Sequence, residues 1–275
     1  MQPIVQLSVI KVTGHTASDT EDVLAMEEPL ELRIEWMHHG RAMRKSISVT
    51  MRTPGNDENL ATGFLYTEGI IVAPEDILSV THTGERTENV ITVALASHVV
   101  PDIARLERNF YTTSSCGVCG KASIEAVRTT CPILDTKDNM QIPASALYDL
   151  PAALSSRQDV FAQTGGLHAA ALFDLRGELQ TLFEDVGRHN ALDKLVGNAL
   201  GHHLLPLQSH ILLLSGRASF ELMQKAAMAG IKIVAAVGAP SSLAVQMAEE
   251  WGITLVGFLR QRRFNIYAGA QRIVI

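Results

Sequence analysis

Cysteine is scarce in this chain, three in 275 residues. Three thiols cannot make a disulfide framework, so the sequence reads as that of a cytoplasmic protein kept in a reducing compartment. Long hydrophobic runs are missing as well. The longest apolar stretches, such as 211–214 and 233–237, fall far below the roughly 18–20 residues that a membrane span requires, which excludes a helical membrane protein. The first eleven residues have no basic charge ahead of their apolar ones and no small-residue cleavage site, so no secretory signal is expected. Positive charge is in deficit: 23 Lys and Arg against 29 Asp and Glu give a net charge of −6. A surface that grips nucleic acid or anionic lipid over its whole extent is thereby excluded, and any anion site must be local. Aromatic residues make up only 5%, yet hydrophobic residues reach 47%, enough to bury a large core and far from the composition of a disordered chain. One large domain or two modest ones are expected at this length.

Periodicity divides what is present. Up to about residue 110 the pattern has period two. Leu30, Leu32, Ile34 and Trp36 alternate with charged residues, then Ile47, Val49 and Met51 alternate with Ser and Thr, which predicts a hairpin closed near His39-Gly40. Further strands are expected over 78–83 and 90–95. Between them Pro54-Gly55 makes a turn, Asn56 or Asp57 can cap a helix carrying Leu60, Phe64 and Leu65, and Gly69 can end it. From about Gly165 strands alternate with helices. Strands are expected over 167–173, 179–183, 210–214, 231–237 and 253–258, with helices from Arg188, after Ser219 and after Ser241. That succession predicts a parallel or mixed sheet covered by helices, with loops at the strand C-termini open to a ligand.

The segment Thr112-Thr-Ser-Ser-Cys116-Gly-Val-Cys119-Gly-Lys121 is the most informative. Glycines at 117 and 120 free the backbone, a helix expected near Lys121 offers its positive end, and Lys121 adds a charge; each favours thiolate over thiol. A nucleophilic thiolate on a mobile arm suits persulfide transfer or disulfide exchange. Half of a zinc site and inert loop cysteines remain as alternatives. A closed zinc site needs two more ligands, and Cys131 stands without a matching C-x-x-C or H-x-x-x-H. A thioredoxin-type dithiol would follow a strand near the chain start. A zinc nucleobase deaminase would show H-x-E before P-C-x-x-C, whereas Ser115 precedes Cys116 here.

The stretch Ser115-Cys-Gly-Val-Cys-Gly-Lys121 resembles the signature loop of the formate dehydrogenase accessory sulfurtransferases, the FdhD/NarQ family. Arg52-Thr-Pro-Gly-Asn-Asp-Glu-Asn-Leu-Ala-Thr-Gly-Phe-Leu-Tyr-Thr-Glu-Gly-Ile-Ile71, Thr164-Gly-Gly-Leu-His-Ala-Ala170, Glu184-Asp-Val-Gly-Arg-His-Asn-Ala191 and Ser215-Gly-Arg217 are similar to family motifs in the family's order. The resemblance implies a cytoplasmic sulfurtransferase that accepts sulfur from a cysteine desulfurase. It passes that sulfur to a molybdenum bis(molybdopterin guanine dinucleotide) cofactor destined for formate dehydrogenase. Cys116 matches the persulfide position, with Cys119 sharing or helping to release the sulfur, and a homodimer is among the implied assemblies. The implied fold is α/β (α+β): a β-rich N-terminal domain over 1–110, the cysteine loop and connecting helices over 111–164, and a layered α/β/α domain over 165–275. That last domain would be similar to cytidine deaminase but without its zinc. The family's cofactor-binding segment maps onto Phe258-Leu259-Arg260-Gln261-Arg262-Arg263, which is poor in glycine.

Residues 257–275 hold Arg260, Arg262, Arg263 and Arg272 and no acid, a local +4 that suits a pyrophosphate. The plain alternative is a solvated basic strand end. Arg188, His189 and Asn190 after Gly187, Gly216 with Arg217, and Ser241 after Gly238 each stand at an expected helix start, where backbone N–H groups can hold phosphate. Such turns also use Gly, Ser and Asn for capping alone. His168 has the same ambiguity. The rival to sulfur transfer is a cofactor-binding chaperone whose thiols are structural or hold a metal.

Overall fold

The computed structural model describes residues 2–82, 89–102, 134 and 138–275. Cys116, Cys119 and Cys131, with the helix expected near Lys121, lie outside the described residues. Strands β1 (Ile4–Thr13) and β2 (Thr16–Ala25) form a separate hairpin. The predicted second hairpin is β3 (Glu28–His38) with β4 (Arg41–Arg52), closed by His39 and Gly40 at φ 48° and 75°. Two left-handed turn residues match the twist of the paired strands.

Leu30, Leu32, Ile34, Trp36 and Ile47 are buried, but Val49 and Met51 are 60% and 47% exposed. The cause is a bulge. Leu32 pairs with Ser48 and Arg33 with Ser46, so Ile47 is an extra residue and the alternation inverts beyond it. Helix α1 (Asp57–Thr67) lays Leu60, Ala61 and Leu65 on this sheet, which β5 (Ile77–His82) and β6 (Val90–Leu95) complete in the order β4-β3-β6-β5. Asn56 stands at the start of α1, though without a side-chain cap; the Asp57 carboxylate is turned instead to the buried Arg52, at 3.0 and 2.9 Å.

The second half begins with β7 (Ile142–Pro143), α2 (Ser145–Tyr148), α3 (Leu150–Ser155) and α4 (Asp159–Thr164). Then follow β8 (His168–Asp174), β9 (Leu179–Asp185), α5 (Arg188–Gly201), β10 (His210–Leu214), α6 (Phe220–Met228), β11 (Ile233–Ala236) and α7 (Ser242–Glu250). The chain ends with β12 (Thr254–Arg260), β13 (Arg263–Ala268) and β14 (Ile273–Val274), the last paired with β7. A mixed sheet runs β13-β12-β11-β10-β8-β9, with β10, β11 and β12 parallel. Both faces are covered, which is why β10 and β11 read as unbroken apolar runs. Helices α5, α6 and α7 pack on one face and α2 and α3 on the other, giving a mixed α/β structure in three layers. No helix among the described residues is long and apolar enough to cross a membrane.

The two sheets are joined where α1 crosses α5. The helices meet at Gly63 and Gly197 so closely that a Cβ at either would lie 1.8 Å from the Asp193 carbonyl oxygen or 1.9 Å from that of Asn59. Beside the crossing, the Lys225 ammonium donates to both oxygens of Asp193 and to the Thr67 hydroxyl, each at 2.9 Å. Burial pushes the Asp193 carboxyl up while the ammonium pulls it back. Burial also works against charge on Lys225, but Asp193 and Glu68 outweigh it and hold Lys225 above its ordinary value, so the proton stays on the lysine.

Candidate functional site

Because β10, β11 and β12 are parallel, their C-terminal ends lie side by side on one edge of the sheet. Main-chain bonds tie the loops that follow into a row. Ser215 N–H donates to the Ala169 carbonyl, Gly238 N–H to that of Gly216 and Phe258 N–H to that of Gly238, at 3.0, 3.0 and 3.1 Å. Gly238 is needed in this row, since a Cβ there would stand 2.9 Å from the Gly216 oxygen.

At one end of the row stands the β12–β13 hairpin. Its turn residues Gln261 and Arg262 are left-handed at φ 51° and 58°, and Phe258, at the bulge before them, is at 54°. Such conformations cost non-glycine residues on the order of 1 kcal/mol each. Phe258 is left 38% exposed. Arg260 and Arg263 are exposed and directly paired across the two strands, which places both side chains on one face. Like charges so opposed destabilise a sheet, and neither has an ion-pair partner among the described residues. Arg262 is folded back over the Tyr148 ring, 5.2 Å from its centroid.

The other end lies across the sheet, roughly 15–20 Å away at about 4.8 Å per strand. Here the buried Asp185 carboxylate accepts from Thr53 N–H, Gly187 N–H and the Asn190 amide, and faces the Lys194 ammonium at 2.7 Å. His189 Nε2 lies 2.7 Å from Glu221 and 3.4 Å from the Ser219 hydroxyl. These three do not form a hydrolytic triad, because the acid and the hydroxyl share one ring nitrogen instead of lying on opposite sides of the imidazole. Arg188 Nε and Glu221 Oε1 are buried without hydrogen-bond partners among the described residues. His168 is half-buried, with its ring against Gly216. Burial first, then the neighbouring Arg188 and His189, press the His168 pKa below its ordinary value, while Asp185 pulls it up.

The structure thus brings Phe258, Arg260, Gln261, Arg262, Arg263, Gly216, Arg217 and Ser241 to one sheet edge, with Arg188 and His189 at its far end. Several side chains expected there are already engaged. Leu259 is fully buried in the core against α2 and α3. The Asn190 amide holds the Met51 carbonyl at 2.7 Å, and the Ser241 hydroxyl caps α7 on Ala244 N–H at 3.2 Å. Leu259 and Asn190 can offer a ligand only their backbone, whereas the exposed Ser241 hydroxyl, an acceptor in its cap, keeps its O–H for donation. Arg272 leaves the basic patch altogether. It is 1% exposed, donates to the Gly252 carbonyl and pairs with Asp138, so the local +4 of the sequence is +3 at the surface. Sequence reasoning missed Glu221 and Tyr148, whose roles come from partners 32 and more residues away and carry no local signal.

The FdhD/NarQ family model matches residues 25–274. The chain belongs to that family. A sulfur carrier protein FdhD from Streptomyces coelicolor is 52% identical over 276 residues, 97% of this chain and 94% of the relative. One from Sulfurisphaera tokodaii is 42% identical and covers 98% of both chains. The crystal structure described as a formate dehydrogenase accessory protein from Desulfotalea psychrophila is 22% identical, covers 99% of this chain and 100% of that one, and superposes with a TM-score of 0.74. That likeness establishes the fold.

Proposed function

We propose that the chain is a cytoplasmic sulfur carrier for formate dehydrogenase maturation, handing sulfur from a cysteine desulfurase to the molybdenum bis-guanine-dinucleotide cofactor as its substrate. The names of its FdhD relatives and the Cys116/Cys119 pair support the sulfur role. In the loading step the Cys116 thiolate attacks the outer sulfur of the donor's persulfide. A new S–S bond forms on Cys116, the donor's S–S bond breaks, and the donor cysteine leaves as thiolate. No resident zinc takes part.

The observation that carries the nucleotide half of this reading is the Arg260–Arg263 pair, two cations held face to face, neither in an ion pair with an acid among the described residues. A pyrophosphate between them replaces repulsion with paired guanidinium–phosphate bonds. Phe258 beside them offers a face for a guanine. In this reading residues 165–275 form the nucleotide-holding domain, layered like cytidine deaminase, residues 1–110 a β-rich domain, and the sulfur-bearing segment lies between. A second copy of the chain would supply the site for the cofactor's other guanine end.

Two measurements test it. Incubation with a desulfurase and cysteine should add the mass of one sulfur atom to the wild-type chain and none to Cys116→Ala. A Cys116→Ala chain that still activates formate dehydrogenase would leave the cofactor-chaperone reading standing instead. Replacing Arg260 and Arg263 together by Ala should weaken GDP about tenfold, on the order of 1–2 kcal/mol for two exposed charge-assisted contacts, and leave sulfur loading intact. Equal GDP affinities in calorimetric titration would remove these arginines from the site.

A further inference from the structure

We propose that Tyr148, at the end of α2, is a positioning residue for the arginine hairpin: its ring holds Arg262 and so sets where Arg260 and Arg263 meet an anionic ligand. The inference rests on the nucleotide reading above and extends it to a residue in a different layer of the fold.

A two-residue turn with both residues left-handed is built for Asn-Gly or Gly-Gly, because side chains crowd the backbone in that region. Here the turn is Gln261-Arg262, at φ 51° and 58°. A conformation that its own residues disfavour persists only where neighbouring structure over-determines it. Tyr148 is that neighbour. The Arg262 guanidinium carbon lies 5.2 Å from the centre of its ring, within the range of a cation–π contact. The same ring stands 6.0 Å from Phe264, at an interplanar angle of 44°. Tyr148 therefore touches the hairpin on both sides of Arg263, at the turn and on the strand leaving it.

With Arg262 folded onto the ring, the three exposed arginines have different tasks. Arg262 is occupied by the protein, and Arg260 and Arg263 are the two free to face a ligand. Since the pair straddles the turn, releasing Arg262 would let the hairpin tip rotate and separate the two guanidinium groups. The contact uses the ring face, so the hydroxyl of Tyr148 is dispensable and an aliphatic side chain of similar bulk is no substitute.

The test is calorimetric titration of GDP into the full chain as wild type, Tyr148→Leu and Tyr148→Phe, with thermal melting of all three. Tyr148→Leu should weaken GDP by about three- to tenfold, and Tyr148→Phe should stay within about twofold of wild type. Limited trypsin digestion gives a readout without nucleotide: cleavage after Arg262 should be faster in Tyr148→Leu and unchanged in Tyr148→Phe. A Tyr148→Leu chain that binds GDP as wild type does overturns the proposal, whatever its melting temperature. So does a Tyr148→Phe chain as weak as Tyr148→Leu, which would assign the role to the hydroxyl. Failure of the wild type itself to take GDP removes the nucleotide reading and this inference with it, and is visible in the wild-type titration alone.

Discussion

The α1–α5 seam and the β12–β13 hairpin are both built from residues that stand out in the sequence, and they treat charge in opposite ways. At the seam, Lys194 is buried against Asp185 and Lys225 against Asp193, and each ammonium also finds a neutral oxygen, the Thr53 carbonyl or the Thr67 hydroxyl. At the hairpin, Arg260 and Arg263 are exposed, opposed and unpaired among the described residues, in a segment with three strained backbone angles. A charged residue that is buried and bonded several times over is holding the fold together. One kept in water against a like charge is poised for a counter-ion. The Arg52–Ile71 and Glu184–Ala191 motifs fall largely on the first side of that division.

The comparison breaks most visibly at the helix crossing. Gly197→Ala drives a methyl into the Asn59 carbonyl, and backbone cannot yield as a side-chain tip can, so a loss of more than about 3 kcal/mol is expected. Urea titration of the variant would show it, and a wild-type midpoint would mean that the helices separate freely. Next comes Lys194→Met, which strands the Asp185 carboxylate in the interior and should cost about 3–5 kcal/mol. The Arg260/Arg263 double variant should show no such loss. That contrast in melting temperature sharpens the division between the two regions.

The smallest effect concerns Asp138. Burial alone would raise its carboxyl, but hydrogen bonds from Arg272 and Lys232 outweigh burial and hold it at about 2, from an ordinary value of 3.8. A carboxyl depressed on folding adds stability that is complete above its unfolded value and is lost as pH falls through the folded one. Stability should therefore decline between about pH 4 and 2 by on the order of 1 kcal/mol from this group, discounted for its partial exposure to solvent. Asp138→Asn should flatten that part of the acid limb. An unchanged acid limb would mean that the Asp138 carboxylate adds nothing to stability in that range.

Much of this was legible beforehand. Strands β10 and β11, helix α5 and the β3–β4 turn follow from apolar runs, a helical stripe and His39-Gly40. The face of β4 beyond Ile47 was not, because one extra residue inverts an alternation without altering composition. The candidate site divides in the same way. Phe258, Arg260 and Arg263 could be marked from the basic, acid-free tail and from the family resemblance. Arg272 looked the same in that tail, and its burial and its bonds to the Gly252 carbonyl and to Asp138, 134 residues away, set it apart. Gly63 and Gly197 carried the opposite signal, since a glycine inside a helix ordinarily weakens it. Their purpose appears only when the two helices are seen to touch backbone to backbone.

That crossing has a kinematic consequence. With main chain against main chain at two interlocking points, neither helix can slide along or roll over the other without collision, so the crossing works as a dovetail between the two sheets. Any exchange of parts among relatives must respect it. A chimera that takes α1 from one chain and α5 from another will assemble only if both donors bring glycine to the same two places.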